Sequence, residues 1–77
     1  MNEELSLREI ACLQLIALGK TNVEAGKALG LTHHTVQYHL HNAYHKLNVS
    51  NRAAAISKAY HLSLIKLPID PPVTKSS

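Results

Sequence analysis

The sequence predicts an all-α, compact four-helix domain, and three observations carry that prediction. Two boxes of the S/T-x-x-E kind, Ser6-Leu7-Arg8-Glu9 and Thr21-Asn22-Val23-Glu24, mark helix starts. Gly19, Gly30 and Asn48 stand where a left-handed residue closes a helix. Between these signals apolar residues recur at helical spacing, and no stretch alternates with the two-residue period of a half-buried strand.

The first helix, α1, is expected over roughly 7–18. There the Ser6 hydroxyl accepts the Glu9 N–H, the Glu9 carboxylate reaches back, and Ile10, Leu13, Ile16 and Ala17 share a face. The second, α2, opens at the Thr21 box and stops at Gly30. So few residues separate it from α1 that the two cannot lie side by side, and α2 must turn sharply away. Thr32 caps the third helix, α3, of about 33–47, on which Val36, Leu40, Ala43 and Leu47 form one stripe before Asn48 ends it. Ser50 or Asn51 opens an alanine-rich α4 of roughly 51–65. Pro68, Pro71 and Pro72 then forbid continuation. The expected organisation is a flexible 1–4, one domain over 5–66 and a disordered proline-containing tail over 67–77.

Bulk properties narrow the function classes. At 77 residues the chain is one domain, and a chain of this size buries only about 60% of its unfolded surface. The single cysteine, Cys12, forms no internal disulfide and suits a reducing compartment. No signal segment and no apolar run of about 18 residues is present, so a cytoplasmic location is expected. Eight Lys and Arg against five Asp and Glu give +3, and six histidines add charge beside an anion. That balance favours an acidic partner such as nucleic acid. Lacking Trp and Phe, the chain has no obvious stacking platform for single strands.

Four of the six histidines crowd into GLTHHTVQYHLH over 30–41, at the start of α3. On a helical wheel the apolar stripe takes one side, while His34, Gln37, Tyr38, His41 and His45 take the other. Thr35, His39, Asn42 and Lys46 lie on a flank between them. Three readings compete: a solvated polar face, a metal site on His41 and His45, or a face that enters a DNA groove. A structural zinc site needs about four ligands, and only histidines of this one helix and a distant Cys12 remain. No metal, no cofactor and no catalytic residue is therefore expected; no set of nucleophile, base and orienting group is visible either. A short helix, a Gly-containing turn and a longer helix with a polar outer face is the helix-turn-helix pattern.

The residues Leu5-Ser6, Arg8-Glu9, Leu13, Ile16-Ala17, Gly19, Thr21-Asn22, Glu24, Leu29-Gly30-Leu31-Thr32, Thr35-Val36, His39-Leu40, Lys46-Leu47, Val49 and Asn51-Arg52 stand in a recognisable order. Together they resemble the LuxR-type helix-turn-helix shared by quorum-sensing and NarL/FixJ-type regulators, over about positions 5–65. The resemblance implies sequence-specific binding of double-stranded DNA by α3 in the major groove, in a bacterial transcription regulator. It implies base contacts from Gln37, Tyr38 and His41, the same three that the wheel turns outward. Gln37 suits adenine N6/N7, His41 guanine or a phosphate, and Tyr38 a thymine methyl. Phosphate contacts are expected from Lys20, Thr21, Asn22 and the open N–H groups beginning α2. Thr32, His33, His34, Thr35, His39, His45 and Lys46 are expected to grip the backbone beside α3. Capping alone also accounts for Thr21 and Thr32, and His39 equally suits a partly buried position bonded to the backbone.

Two features depart from the family pattern. Ala25-Gly26 stands where Ile-Ala is usual, and a mid-helix glycine costs up to about 1 kcal/mol against alanine. Groove-facing Lys or Arg is replaced by Gln37 and His41, leaving Lys46 as the one formal cation of α3. Fewer fixed charges mean a shallower salt dependence, and binding that strengthens as pH falls toward about 6, through the range where histidines ordinarily titrate.

On α4 two apolar stripes appear: Ala53, Ile56, Tyr60 and Leu64, and Ala55, Ala59 and Leu62. The resemblance implies that this helix pairs two copies on a two-fold symmetric site, with RNA polymerase a further expected partner. Ala55, Ala59 and Leu62 are taken as the homodimer interface, although periodicity does not assign which stripe pairs and which is buried in so small a domain. The rival reading is an interaction module that pairs through α4 with a full-length regulator and inhibits it.

Overall fold

The computed structural model describes residues 4–67. The flexibility expected of 1–4 and the disorder expected of 67–77 fall almost wholly outside that range. Four helices, α1 (Leu7–Ala17), α2 (Asn22–Leu29), α3 (His33–Leu47) and α4 (Arg52–His61), make up the fold, with no strand among the described residues. Both capping boxes close: Ser6 and Thr21 accept the Glu9 and Glu24 N–H groups, and each glutamate accepts its cap's N–H in return. Thr32 caps α3 and Asn51, rather than Ser50, caps α4.

All four helices stop in the same way. A residue at positive φ turns the chain, and the next N–H bonds the carbonyl five positions back. Gly19, Gly30, Asn48 and Ser63 are those residues. The bonds are Lys20 to Leu15, Leu31 to Gly26, Val49 to Tyr44 and Leu64 to Ala59, at 2.8–3.0 Å. The stop at Ser63 ends α4 at His61, short of the expected 65. It is stabilised from outside the helix: Gln14 donates to the Lys66 carbonyl at 2.7 Å and accepts the Lys66 N–H at 2.9 Å. That clamp holds Ile65 in the core, 3% exposed.

The helix α3 is the centre of the domain, packed against α1, α2 and α4. Its stripe of Val36, Leu40, Ala43 and Leu47 meets Cys12, Leu13 and Ile16 of α1, Ala25 of α2 and Ala55 and Ala59 of α4 in one buried cluster. Burying a side chain of the size of Leu13 or Leu40 is worth roughly 1.5–3 kcal/mol.

Gly26 corrects the reading of a merely costly helix glycine. A Cβ there would lie 2.5 Å from the Leu31 carbonyl oxygen, because α3 begins directly against the end of α2. The absent side chain is what lets the turn close this tightly.

Candidate nucleic-acid interface

The buried stripe of α3 leaves the opposite face of the helix outward. Gln37, Tyr38 and His41 are all exposed there, Tyr38 by 64%, and His33, His34 and His45 are exposed around them. The His33 and His34 rings lie with centroids 4.0 Å apart at the beginning of the helix. Tyr38 sets its ring edge-on to His39 at 5.6 Å, and His41 lies 6.3 Å from Tyr44. The face thus carries donors, acceptors and aromatic edges and no side chain of fixed charge. Among the described residues no three of His, Cys, Asp and Glu are grouped so as to hold a metal ion.

Next to this face stands the start of α2. Its capping box takes the Thr21 and Glu24 N–H groups, which leaves those of Asn22 and Val23 at the open helix end, with exposed Lys20 just before them. The Thr21 N–H bond holds the exposed Glu24 carboxyl below its ordinary pKa. Thr32 and Thr35 link hydroxyls at 3.1 Å at the corresponding start of α3.

Two of the expected site residues on the flank are turned elsewhere. The Lys46 ammonium donates to both Glu9 carboxylate oxygens, at 3.0 and 3.3 Å, and to the Glu4 carbonyl at 3.3 Å. It is engaged with α1, and so is not an unpaired cation beside the outer face. Glu9 is 4% exposed, and burial alone would raise its pKa. The Ser6 N–H, the Lys46 hydrogen bond and charge, and the charge of nearby His39 outweigh that, so the carboxyl falls below its ordinary value. His39, half-buried, thus faces the Glu9 and Lys46 side of the helix.

The expected dimer residues need a second correction. Ala55 and Ala59 are both 0% exposed, packed inside the monomer, and only Leu62 of that set is open, at 54%. The α4 helix packs on α1 and α3 with Ala55 and Ala59 in the shared buried cluster. Its outward stripe is the other one, with Ala53 and Tyr60 exposed and Ile56 half-buried.

A residue given no role by its position in the sequence enters here. Arg52, the first residue of α4, donates to Asn22 Oδ1 at 3.5 Å, and Asn22 in turn donates to Gln37 Oε1 at 2.7 Å. Thirty positions separate Arg52 from Asn22, so no local spacing announces the contact. A groove of about 700 Å³ among Glu4, Leu5, Ile10, Lys46, Leu47 and Leu62 is lined by none of Gln37, Tyr38 and His41.

A family model described as bacterial regulatory proteins, luxR family, matches residues 3–59. The chain belongs to the luxR family. It is similar to the transcriptional activator protein CarR of Pectobacterium carotovorum subsp. carotovorum, 40% identical over 74 residues, which cover 96% of this chain and 30% of that protein. It is also similar to the transcriptional activator protein LuxR of Aliivibrio fischeri, 42% identical over 67 residues, 87% of this chain and 27% of the relative. Among solved structures, the transcription factor GerE superposes with a TM-score of 0.77 at 28% identity, covering 83% of this chain and 97% of that one. The response regulator ChrA of a heme-sensing two-component system gives 0.78 at 40% identity, over 84% of this chain and 32% of that chain. The chain spans less than a third of the length of these curated relatives. The four-helix fold expected from the sequence is thus the luxR-family fold.

Proposed function

We propose that this luxR-family domain binds double-stranded DNA sequence-specifically, with α3 in the major groove, and so regulates transcription in a bacterium. The observation that carries the reading is the two-sidedness of α3: one side wholly buried, the other presenting Gln37, Tyr38 and His41 beside the open N-terminus of α2. A helix held this way by a preceding short helix and a tight turn has the shape a major groove admits. Gln37, Tyr38 and His41 take the base edges. Lys20, the start of α2 at Thr21 and Asn22, Thr32, Thr35 and the exposed His33, His34 and His45 take the phosphates. His39 faces Glu9 and is the least suited of the expected set.

Two copies then bind a two-fold symmetric site through the outward stripe of α4, Ala53, Ile56 and Tyr60, with Leu62 at its end. The work is cytoplasmic, beside RNA polymerase, and non-enzymatic. No helix among the described residues is long and apolar enough to cross a membrane.

The engagement of Lys46 with Glu9 leaves α3 without an unpaired formal cation beside the outer face, and this favours the rival reading of a partner-binding module. Selection of a random duplex pool by the chain at low salt, followed by sequencing, separates the two. Enrichment of a symmetric motif is the expected result. A folded protein that enriches nothing, or whose Gln37→Ala, His41→Ala variant enriches the same motif equally well, removes the groove reading in favour of the partner-binding one.

A further inference from the structure

Three polar side chains from three helices stand in line on the exposed surface: Arg52 of α4, Asn22 of α2 and Gln37 of α3. The direction of the hydrogen bonds along this line is dictated from one end. A guanidinium has only donors. Asn22 must therefore turn its carbonyl oxygen to Arg52, at 3.5 Å, which leaves its NH2 group facing Gln37. Only the carbonyl oxygen of Gln37 can accept that NH2, as it does at 2.7 Å. Turning the Asn22 amide over sets its NH2 against the guanidinium, donor against donor. Turning Gln37 over sets two NH2 groups together.

The consequence appears at the outer end. With Oε1 engaged, Gln37 has its Nε2 group left for a ligand, on an exposed side chain at the centre of the proposed groove face. We propose, resting on the DNA-reading function above, that Asn22 and Arg52 are specificity-positioning residues that hold Gln37 as a donor. Glutamine whose amide is free pairs bidentately with adenine, accepting from N6 and donating to N7. Gln37 held by Asn22 has its oxygen turned toward α2, one lone pair taken, and presents Nε2 rather than Oε1 to the groove. It donates to a base edge rich in acceptors, and guanine, with O6 and N7 side by side, is the best match. The base preference at this position is thus set by a residue of another helix.

The test is duplex-pool selection and sequencing with the full chain and three variants. Gln37→Ala identifies the base pair that Gln37 reads, and the wild type is expected to select guanine there. Asn22→Asp replaces the inward donor by acceptors. Arg52 still binds it, but Gln37 must now turn Nε2 inward and Oε1 outward. The selected base then moves from guanine to adenine or cytosine, whose N6 and N4 groups donate, by on the order of tenfold at that pair and not at others. The fold tolerates the change, because a carboxylate in the first turn of a helix is favoured by the helix dipole; a thermal melt checks it. Asn22→Ala, as a second variant, frees the Gln37 amide and spreads the preference over guanine and adenine.

A wild type that selects adenine at the Gln37-dependent pair overturns the proposal and leaves DNA reading intact. So does guanine retained unchanged in both Asn22 variants. Should the wild type enrich no motif, it is the DNA-reading function that fails. The Gln37 side-chain amide resonances, followed by NMR without DNA, then decide the relay: a shift in Asn22→Asp supports it, and unmoved resonances overturn it.

Discussion

The two polar edges of α3 are built differently. On the edge toward α1, Lys46 and Glu9 form an ion pair, Glu9 almost wholly buried, with the Ser6 N–H and the Glu4 carbonyl adding bonds. On the edge toward α2, Gln37 meets Asn22 through neutral amides, on exposed or half-buried side chains, and the Arg52 guanidinium bonds Asn22 one step further out. The first edge has the character of structure: charges desolvated, mutually satisfied and costly to separate. The second has the character of a reader, since weak, solvent-accessible hydrogen bonds can be exchanged for those of a ligand with little net loss. The one fixed cation of α3 therefore serves stability, and whatever the outer face recognises must be recognised by shape and hydrogen bonding.

Removing one partner on the α1 edge is the largest perturbation. Lys46→Met leaves the Glu9 carboxylate buried without its counter-charge, at a cost of about 3 kcal/mol. A domain of this size has only roughly 4–10 kcal/mol in all, so urea denaturation should show much of its stability gone. The same edge governs acid behaviour. The folded-state pKa of Glu9 lies below the ordinary 4.5, so between the two values the unfolded chain binds more protons than the folded one. The contribution is fully present above about pH 5 and is lost as pH falls through the folded value. Glu9→Gln should lower stability at neutral pH and flatten that acid limb. Glu24→Gln, at the exposed twin of the same capping box, should alter it less. Equal effects would erase the contrast between the edges.

Next in size is the turn that brings α2 against the reading edge. Helix propensity alone says that Gly26→Ala stabilises, by up to about 1 kcal/mol. The Leu31 carbonyl oxygen, 2.5 Å from the added Cβ, says the reverse. Because that oxygen belongs to the backbone of the turn, it yields only by displacing the start of α3, and overpacking of this kind costs about 1–3 kcal/mol. A higher melting temperature for Gly26→Ala would mean that the turn relaxes easily, and that Gln37 and Asn22 are less firmly registered than their 2.7 Å contact implies.

Local chemistry made most of the fold legible in the sequence. The caps at Ser6, Thr21 and Thr32, the stops at Gly19, Gly30 and Asn48, and the α3 stripe each depend on residues within a turn of one another. What stayed hidden depends on distance. Ser63 is an unusual residue for positive φ, and its stop is held by Gln14, 52 positions from Lys66. Periodicity revealed two stripes on α4 but could not tell which faced inward, because large Ile56 and Tyr60 look more core-like than Ala55 and Ala59. The packing takes the small side chains inward instead, with Ala55 and Ala59 wholly buried and Tyr60 exposed. Lys46 appeared free only because Glu9 lies 37 positions away, and the outward residues Gln37, Tyr38 and His41 were legible by position while the Asn22 contact that orients one of them was not.

The smallest effect on stability is expected on the reading edge. Gln37→Ala removes one side of an exposed hydrogen bond, and Asn22 Nδ2 is then free to bond water, so the net change should stay within about 0.5 kcal/mol. Its effect on recognition should be out of proportion to that, on the order of tenfold or more in discrimination at one base pair. Lys46→Met should show the inverse pattern, with stability lost and base preference kept in the fraction that remains folded. Measuring both variants in both assays sets the two edges against each other directly. Two variants that lose stability and discrimination in equal proportion would mean that α3 acts as one rigid unit, with no division of labour between its edges.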